Sequence, residues 1–170
     1  MIKQDRYRKF ANLLRELKKT SELSIAEIME EKDGSSERYL IFSMGKESFA
    51  LPVTQLREVL LNKLIVPVPG APASVHGVVN YMNRIILVTN MHNLFQIPYE
   101  KKDNPFLLVT RGINSELGIL VDGLVNLTTI DQEDIKPKIS GQNEFVNRLT
   151  RGEIYYREKL VTLLDLNRLD

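Results

Sequence analysis

YLIFSMGKESFALPVTQLREVL, Tyr39 to Leu60, reads as an apolar strand, a polar turn, a second apolar strand and a further apolar stretch. It lines up with FLLVTRGINSELGILVDGLVNL, Phe106 to Leu127, when one inserted residue is allowed. In the same way RIILVTNMHNL (84–94) lines up with KLVTLLDLNRL (159–169). The sequence therefore predicts two related β units, joined near residues 96–105. Because each unit is small for an independent core, we expect the two to share one.

Composition limits the class of protein. A chain of 170 residues with a hydrophobic fraction of 43% fits one domain or two small intimate ones. It contains no cysteine, which excludes disulfides, thiolate chemistry and zinc–thiolate sites. The formal net charge of +1 gives no general attraction for nucleic acid or anionic membranes. No apolar run approaches a membrane span, and the charged start lacks the apolar middle of a signal peptide, so we expect a cytoplasmic protein without membrane insertion.

Residues 1–36 are predicted to form a helical extension. In DRYRKFANLLRELKK the apolar residues recur at spacings of three and four, which makes one stripe along a helix. The stripe consists of Phe10, Leu13, Leu14 and Leu17. Ser24 followed by Glu27 resembles a capping box for a second short helix over IAEIMEEK. The stripe suits packing on the body of the protein and binding of a partner equally, so both interpretations stay open.

From residue 37 onward the pattern changes to short β-type runs separated by Gly, Pro, Asn and Asp. Many short strands at close spacing favour small barrels or a sandwich. The candidate strands include LIVPVP, Leu64 to Pro69. We therefore expect a mostly β domain over 37–170, with halves at roughly 37–95 and 100–170 that could exchange strands.

Candidate groups for chemistry are sparse. The sequence offers no nucleophile–base pair and no cofactor fingerprint, so we expect neither an enzyme nor a bound cofactor. His76 and His92, the two histidines, lie sixteen residues apart on separate candidate elements without a carboxylate cluster between them, and we expect no metal site. Asp122 and Asp165 read as turn formers and caps.

The order of the motifs resembles the CheW coupling proteins of bacterial chemotaxis. The motifs, in chain order, are YLIFSMGKESFALPV, LREVL, IVPVPGAP, GVVNYMNRIILVTNMHNLF, GILVDGLVNL and DIKP. The resemblance covers roughly residues 38–170. It implies a mostly β fold of two small five-stranded SH3-like β-barrel subdomains sharing a core, with the α-helical N-terminal extension and a short C-terminal helix.

The resemblance also implies a function. Members of the family are not enzymes; they bridge the cytoplasmic tips of chemoreceptors to the regulatory domain of a CheA-type histidine kinase. For this chain it implies recruitment to membrane-associated receptor arrays. Carried over by position, the receptor-binding residues are Leu56, Glu58, Gly77, Met82, Phe106, Gly118, Leu124 and Leu127. The kinase-binding residues are expected around Leu51, Val53, Leu61 and Ile65.

One hairpin departs from the family pattern. Where the family usually reads Asn-Leu-Arg-Gly, this chain has Asn80-Tyr81-Met82-Asn83. Asn83 can keep a left-handed turn, since Asn is the next-best residue after Gly for that backbone. Met82 removes a guanidinium that the family presents near its receptor-binding face, and a thioether cannot replace a planar five-donor fork. We therefore expect Glu58 to lack its arginine partner.

Two alternative functions stay open. The chain could be an array component of a specialised pathway that binds the kinase and not standard receptors, because of Met82. It could also be a small-barrel nucleic-acid binder, since such barrels bind single strands through basic grooves and stacking aromatics. The β region lacks a concentrated basic stripe and its aromatics are dispersed, which disfavours the second alternative.

Overall fold

The computed structural model of the protein describes residues 8, 11–13, 15–16, 35–112, 116–138 and 144–169. Its ten strands are β1 (Ser36–Met44), β2 (Glu47–Pro52), β3 (Leu56–Leu61), β4 (Val75–Tyr81), β5 (Arg84–Thr89), β6 (Phe106–Thr110), β7 (Leu117–Val121), β8 (Gly123–Asp131), β9 (Thr150–Tyr156) and β10 (Lys159–Leu164). Residues 8, 11–13 and 15–16 are helical, and after β1 the described residues also form two short α-helices, α1 (Met91–Leu94) and α2 (Glu144–Leu149), and a 3-10 turn over Leu166–Leu169. No helix within the described ranges combines the length and apolarity needed to cross a bilayer.

The strands form two five-stranded sheets that obey the internal repeat. The first sheet has the order β8-β1-β2-β10-β9, and the second has the order β3-β6-β7-β5-β4. If five is added to the numbers of strands β1–β5 and subtracted from the numbers of strands β6–β10, the first order becomes the second. Each sheet also contains one parallel pair, β2 with β10 and β5 with β7, and these pairs correspond. Each sheet therefore takes strands from both halves of the chain.

Each sheet curls until its two terminal strands meet. In the second sheet the Tyr81 hydroxyl on β4 donates a hydrogen bond to Glu58 on β3. In the first sheet the Asn126 amide on β8 donates to the Tyr156 hydroxyl on β9. Tyr81 and Tyr156 occupy matching places in the repeat, one residue before each hairpin turn. Side-chain hydrogen bonds thus link the terminal strands of both barrels at corresponding points, and isolated backbone bridges, Val66 with Val78 and Lys136 with Glu153, lie beside them.

A single large cluster of buried side chains joins the two barrels. It includes Phe42, Phe49 and Leu51 from the first sheet and Phe106 and Leu108 from the second. Two smaller clusters fill the individual barrels. The expected shared core is therefore present, and the apolar runs of β1 and β6 are continuous because the faces of these strands are buried on both sides.

The structure corrects two sequence-based assignments. LIVPVP is not a strand, since Pro67 and Pro69 have no N–H to donate; only Val66 pairs, in an isolated bridge with Val78. Helix α2 was not predicted, and it carries two buried residues, Val146 and Leu149. The short C-terminal helix is the 3-10 turn after β10. The predicted helix over IAEIMEEK lies outside the described residues.

Candidate functional site

The hairpin of β4 and β5 presents its two-residue turn to solvent. Its two loop residues, Met82 and Asn83, have φ of 47° and 60°, the left-handed values that a two-residue turn between twisted strands requires. Asn83 therefore keeps the turn as expected. Met82 leaves 71% of its surface exposed, so its thioether is available for contact.

Glu58 has a partner that the sequence did not reveal. The Tyr81 hydroxyl donates to Glu58 Oε2 at 2.6 Å. Burial, together with the hydrogen bond and charge of Glu58, raises the pKa of Tyr81 to about 12, so the phenol stays protonated and keeps donating at neutral pH. As expected, no arginine pairs with Glu58 among the residues that the structure describes, and the Tyr81 hydroxyl is its polar partner instead. In the family pattern Asn-Leu-Arg-Gly, the leucine position corresponds to Tyr81 in this chain. The Tyr81 hydroxyl donates a hydrogen bond to the Glu58 carboxylate.

Two arginines stand beside this pair. Arg84 is paired with Tyr81 across the hairpin. Both of its terminal nitrogens contact the Glu116 carboxylate, Nη1 to Oε2 at 2.8 Å and Nη2 to Oε1 at 3.3 Å. Arg57, next to Glu58 on β3, forms a second ion pair with Glu116. We call these five residues, Arg57, Glu58, Tyr81, Arg84 and Glu116, the mouth ring. The ring spans β3, β4, β5 and the residue before β7.

The mouth ring contains equal numbers of positively and negatively charged side chains, but these side chains are not equally exposed. Two guanidinium groups face two carboxylates. The side chain of Arg84 is 50% exposed and that of Arg57 35%, whereas Glu116 is only 20% exposed beneath them. The two arginine side chains are therefore more exposed than the carboxylate that they share.

The apolar receptor-binding candidates come together, but as core residues. Leu56, Phe106 and Leu127 are buried in the cluster that joins the barrels, and Leu124 is half-buried against it. Their side chains support a surface from beneath more than they form one. Of the expected set, Glu58 and Met82 offer atoms to solvent most directly.

Of the two glycines in that set, Gly77 lies against backbone and Gly118 against side chains. A Cβ at Gly77 would lie 2.4 Å from the Val66 carbonyl oxygen and 2.8 Å from Ile65 Cγ2. The matching Gly152 meets the Lys136 carbonyl oxygen at 2.6 Å in the same way. A Cβ at Gly118 would lie 3.0 Å from a Leu107 methyl group. Because Gly77 has no Cβ, the segment that contains Ile65 and Val66 can pass close to β4. This packing role requires no binding partner.

The kinase-binding candidates differ in exposure. Leu51 is wholly buried on β2, so its side chain offers no surface, and its assignment to a docking surface is corrected to a core role. Val53 and Leu61 are half-buried against the shared core, and Ile65 against the core of the second barrel. These three keep some exposed area.

Of the four residues of the amino-terminal stripe, only Leu13 lies among the described residues. Residues 8, 11–13 and 15–16 are helical, and Leu13 alone among them is buried, in the cluster that joins the barrels. Leu13 therefore packs on the body of the protein. Phe10, Leu14 and Leu17 lie outside the described residues.

The two histidines meet around one tyrosine. The Tyr99 ring packs edge-on against His76 at 5.4 Å and against His92 at 5.0 Å between ring centroids. His92 Nε2 lies 3.4 Å from the Asp122 carboxylate, which also accepts the Gly45 N–H at 2.6 Å. Burial, and then the neighbouring His92, lower the pKa of His76. No group of three ligating side chains suited to a metal occurs among the residues that the structure describes.

Caps at corresponding places hold the ends of both repeats. Asn90 accepts the Asn93 N–H at 3.1 Å at the start of α1, and Asp165 accepts the Asn167 N–H at 3.1 Å in the C-terminal turn. The buried Gln55 donates to Asp165 Oδ1 and accepts the Leu166 N–H, each at 2.7 Å. The predicted cap at Asp165 is confirmed.

Sequence reasoning missed Arg57, Tyr81, Arg84 and Glu116. Tyr81 and Arg84 are paired in one hairpin and β5 is the neighbour of β7, but the curling of the sheet is what brings Tyr81 on β4 to β3. One signal was available: the loss of the family's arginine coincides with a new hydroxyl at Tyr81, one residue earlier.

Comparison with known proteins gives a consistent result. A model of the CheW-like domain matches residues 38–170. The chemotaxis protein CheW of Treponema pallidum is 26% identical over 137 residues, which cover 75% of this chain and 78% of that protein. The chemotaxis protein CheW of Helicobacter pylori is 26% identical over 161 residues, covering 94% of this chain and 96% of the relative.

A solved structure shares the fold. The scaffolding protein TtCheW from Thermoanaerobacter tengcongensis matches with a TM-score of 0.72 at 20% identity, covering 82% of this chain and 90% of that one. This likeness confirms the mostly β fold of two five-stranded SH3-like subdomains.

Proposed function

The chain belongs to the CheW-like domain family, and from that premise we propose that it is a non-enzymatic adaptor that couples chemoreceptors to a CheA-type histidine kinase. Its relatives are named chemotaxis proteins, and its structural neighbour is described as a scaffolding protein. An adaptor needs two binding surfaces and no reaction centre. We place its action in the cytoplasm, at membrane-associated receptor arrays.

The observation that carries the proposal is the match of residues 38–170 to the CheW-like domain. The two barrels also present corresponding but chemically different hairpins. The second barrel exposes Met82 and Ile85 at its hairpin, with 71% and 70% of their surfaces accessible. The hairpin of the first barrel exposes Tyr155 and Leu160, which are paired across the strands. Because their exposed side chains differ, the two hairpins can be specified separately for binding.

We assign the receptor tip to the surface that includes Glu58 and Met82, with Leu124 at its partly buried edge. We assign the regulatory domain of the kinase to the surface around Val53, Leu61 and Ile65, which keep some exposed area. Both assignments come from family positions, and the exposure of these side chains supports them.

Reconstitution tests the coupling. The protein is added to a CheA-type kinase and membrane-embedded receptors encoded in the same genome, and kinase autophosphorylation is followed with and without the receptor's ligand. We expect kinase activity to become ligand-responsive only when the protein is present. A kinase that binds the protein but stays unresponsive would overturn the coupling role.

A second function is favoured by one observation, the absence of an arginine at Met82. In this alternative the protein is a component of a specialised array that binds the kinase and not standard receptors. A pull-down with purified receptor tips separates the two functions, since only the coupling adaptor retains the tips.

A further inference from the structure

The mouth ring places two guanidinium groups on the barrel end whose hairpin turn, Met82-Asn83, contains no arginine. Arg84 lies two residues after Met82, and its contacts with Glu116 hold its side chain over the end of the second barrel. Arg57 reaches the same carboxylate from β3. Two arginines fixed by one carboxylate are positioned on the barrel end that carries Met82.

The arginines keep donors for a partner. A guanidinium has five N–H groups in a planar fork. Arg84 spends two terminal nitrogens on Glu116, and half of its side chain remains accessible. Both arginine side chains are more exposed than Glu116, so they are more accessible to a molecule at the barrel end than that carboxylate is.

Tyr81 engages the other carboxylate of the mouth ring. By donating to Glu58 at 2.6 Å, its hydroxyl occupies the carboxylate that lies next to Arg57 in the chain. Arg57 pairs with Glu116 instead, and so both guanidinium groups converge on one residue. The carboxylates of the ring are therefore engaged from within the protein.

From this geometry we propose that Arg84, assisted by Arg57, is the specificity-determining cation of the receptor-facing surface of this chain. With the exposed Met82 thioether beside it, the surface fits an amphipathic helix that carries a carboxylate next to an apolar side chain. Arginine binds carboxylates through two parallel hydrogen bonds, and methionine adapts to varied apolar contacts. This inference rests on the proposed receptor coupling.

The repeat supplies matched controls for a test. Lys159 occupies the position of Arg84 in the other barrel, and Arg157 that of Met82; both are exposed. The probe is a purified cytoplasmic tip fragment of a chemoreceptor from the same genome, titrated with wild-type protein, Arg84→Gln, Arg57→Gln, Met82→Arg and Lys159→Gln. Far-ultraviolet circular dichroism checks that each variant is folded.

We expect Arg84→Gln to weaken binding about tenfold and Arg57→Gln less, because a charge-assisted contact is lost. Lys159→Gln should bind as the wild type does, and Met82→Arg should gain less than about twofold, since guanidinium groups are already present. Raising the salt concentration should weaken the wild type more than Arg84→Gln.

Each other outcome has a distinct meaning. If the wild type binds the tip and folded Arg84→Gln binds equally well, the inference is overturned and the proposed function stands. The same holds if Met82→Arg strengthens binding tenfold or more. If the wild type does not bind the tip at all, receptor coupling itself is overturned, and this inference falls with it.

Discussion

The hydroxyl of Tyr81 lies 2.6 Å from Glu58 Oε2 and ties β4 to β3, the two terminal strands of the second sheet. In the first sheet Tyr156 and Asn126 form the corresponding link between β9 and β8. A side-chain hydrogen bond thus links the terminal strands of each barrel, beside the isolated backbone bridges of Val66 with Val78 and of Lys136 with Glu153.

Removing the Tyr81 hydroxyl should open this link. For Tyr81→Phe we expect a loss of about 1–2 kcal/mol in the free energy of unfolding, because the bond involves a carboxylate that stays partly accessible to water. Urea denaturation measures this loss. Glu58→Gln and the double variant complete a cycle, and simple additivity of the two single effects would show that the pair contributes nothing.

The barrels and their shared core were predictable from the sequence. The repeat of 39–60 in 106–127 predicted two related units, and their small size predicted the common core. These predictions depend on local apolar patterns, which the chain displays directly. The exchange of strands between sheets follows from long-range pairing, and sequence order alone left it open.

The candidate site was only partly predictable. Asn83 was assigned correctly because the conformation of a turn depends on the residue within it. The mouth ring was missed because its members come from different strands and meet only in the folded sheet. They are Arg57, Tyr81, Arg84 and Glu116. Leu51 was misassigned because alternation along a strand cannot tell an outer face from an inner one when both are buried.

Gly77 provides a test of backbone against binding roles. Gly77→Ala should destabilise the protein by roughly 2 kcal/mol or more, since the added Cβ would clash with the Val66 carbonyl oxygen. Gly70→Ala is the control, because Gly70 has φ of 74° but open space around it. Its cost should stay near 1 kcal/mol, from the left-handed backbone alone.

The comparison is made by chemical denaturation of both variants. Equal small losses would show that the close approach at Gly77 carries no energetic weight. In that case its role would be sought in binding.

The burial of Leu13 distinguishes the two roles of the amino-terminal stripe. Leu13→Ala should lower the free energy of unfolding by about 2–3 kcal/mol, as truncation of a core leucine does. Arg15→Ala, on an exposed position of the same helix, should change it by less than about 0.5 kcal/mol. If both variants are as stable as the wild type, the helix does not stabilise the body, and its stripe is free for a partner.

His76 should make stability depend on pH. Its folded pKa lies below the unfolded value of 6.5, chiefly through burial and secondarily through His92. The folded state therefore binds fewer protons, so the contribution of neutral His76 is complete above about pH 6.5 and is lost as pH falls through the folded pKa. His92, Tyr99 and Asp122 are the charged or titratable groups of this cluster.

Urea midpoints measured at about pH 7.5 and about pH 5 test this dependence. We expect the wild type to lose more stability over this interval than His76→Gln, which has no proton to bind. Identical losses in the two proteins would assign the pH dependence to other groups.

The adaptor role requires that this chain bind a CheA-type kinase. Calorimetric titration of the purified protein into the isolated regulatory domain of such a kinase, encoded in the same genome, measures this binding. We expect saturable binding with one-to-one stoichiometry, weakened by polar substitution at Leu61 or Ile65 and unchanged by Arg84→Gln. An absence of binding at high micromolar concentration would overturn the adaptor role.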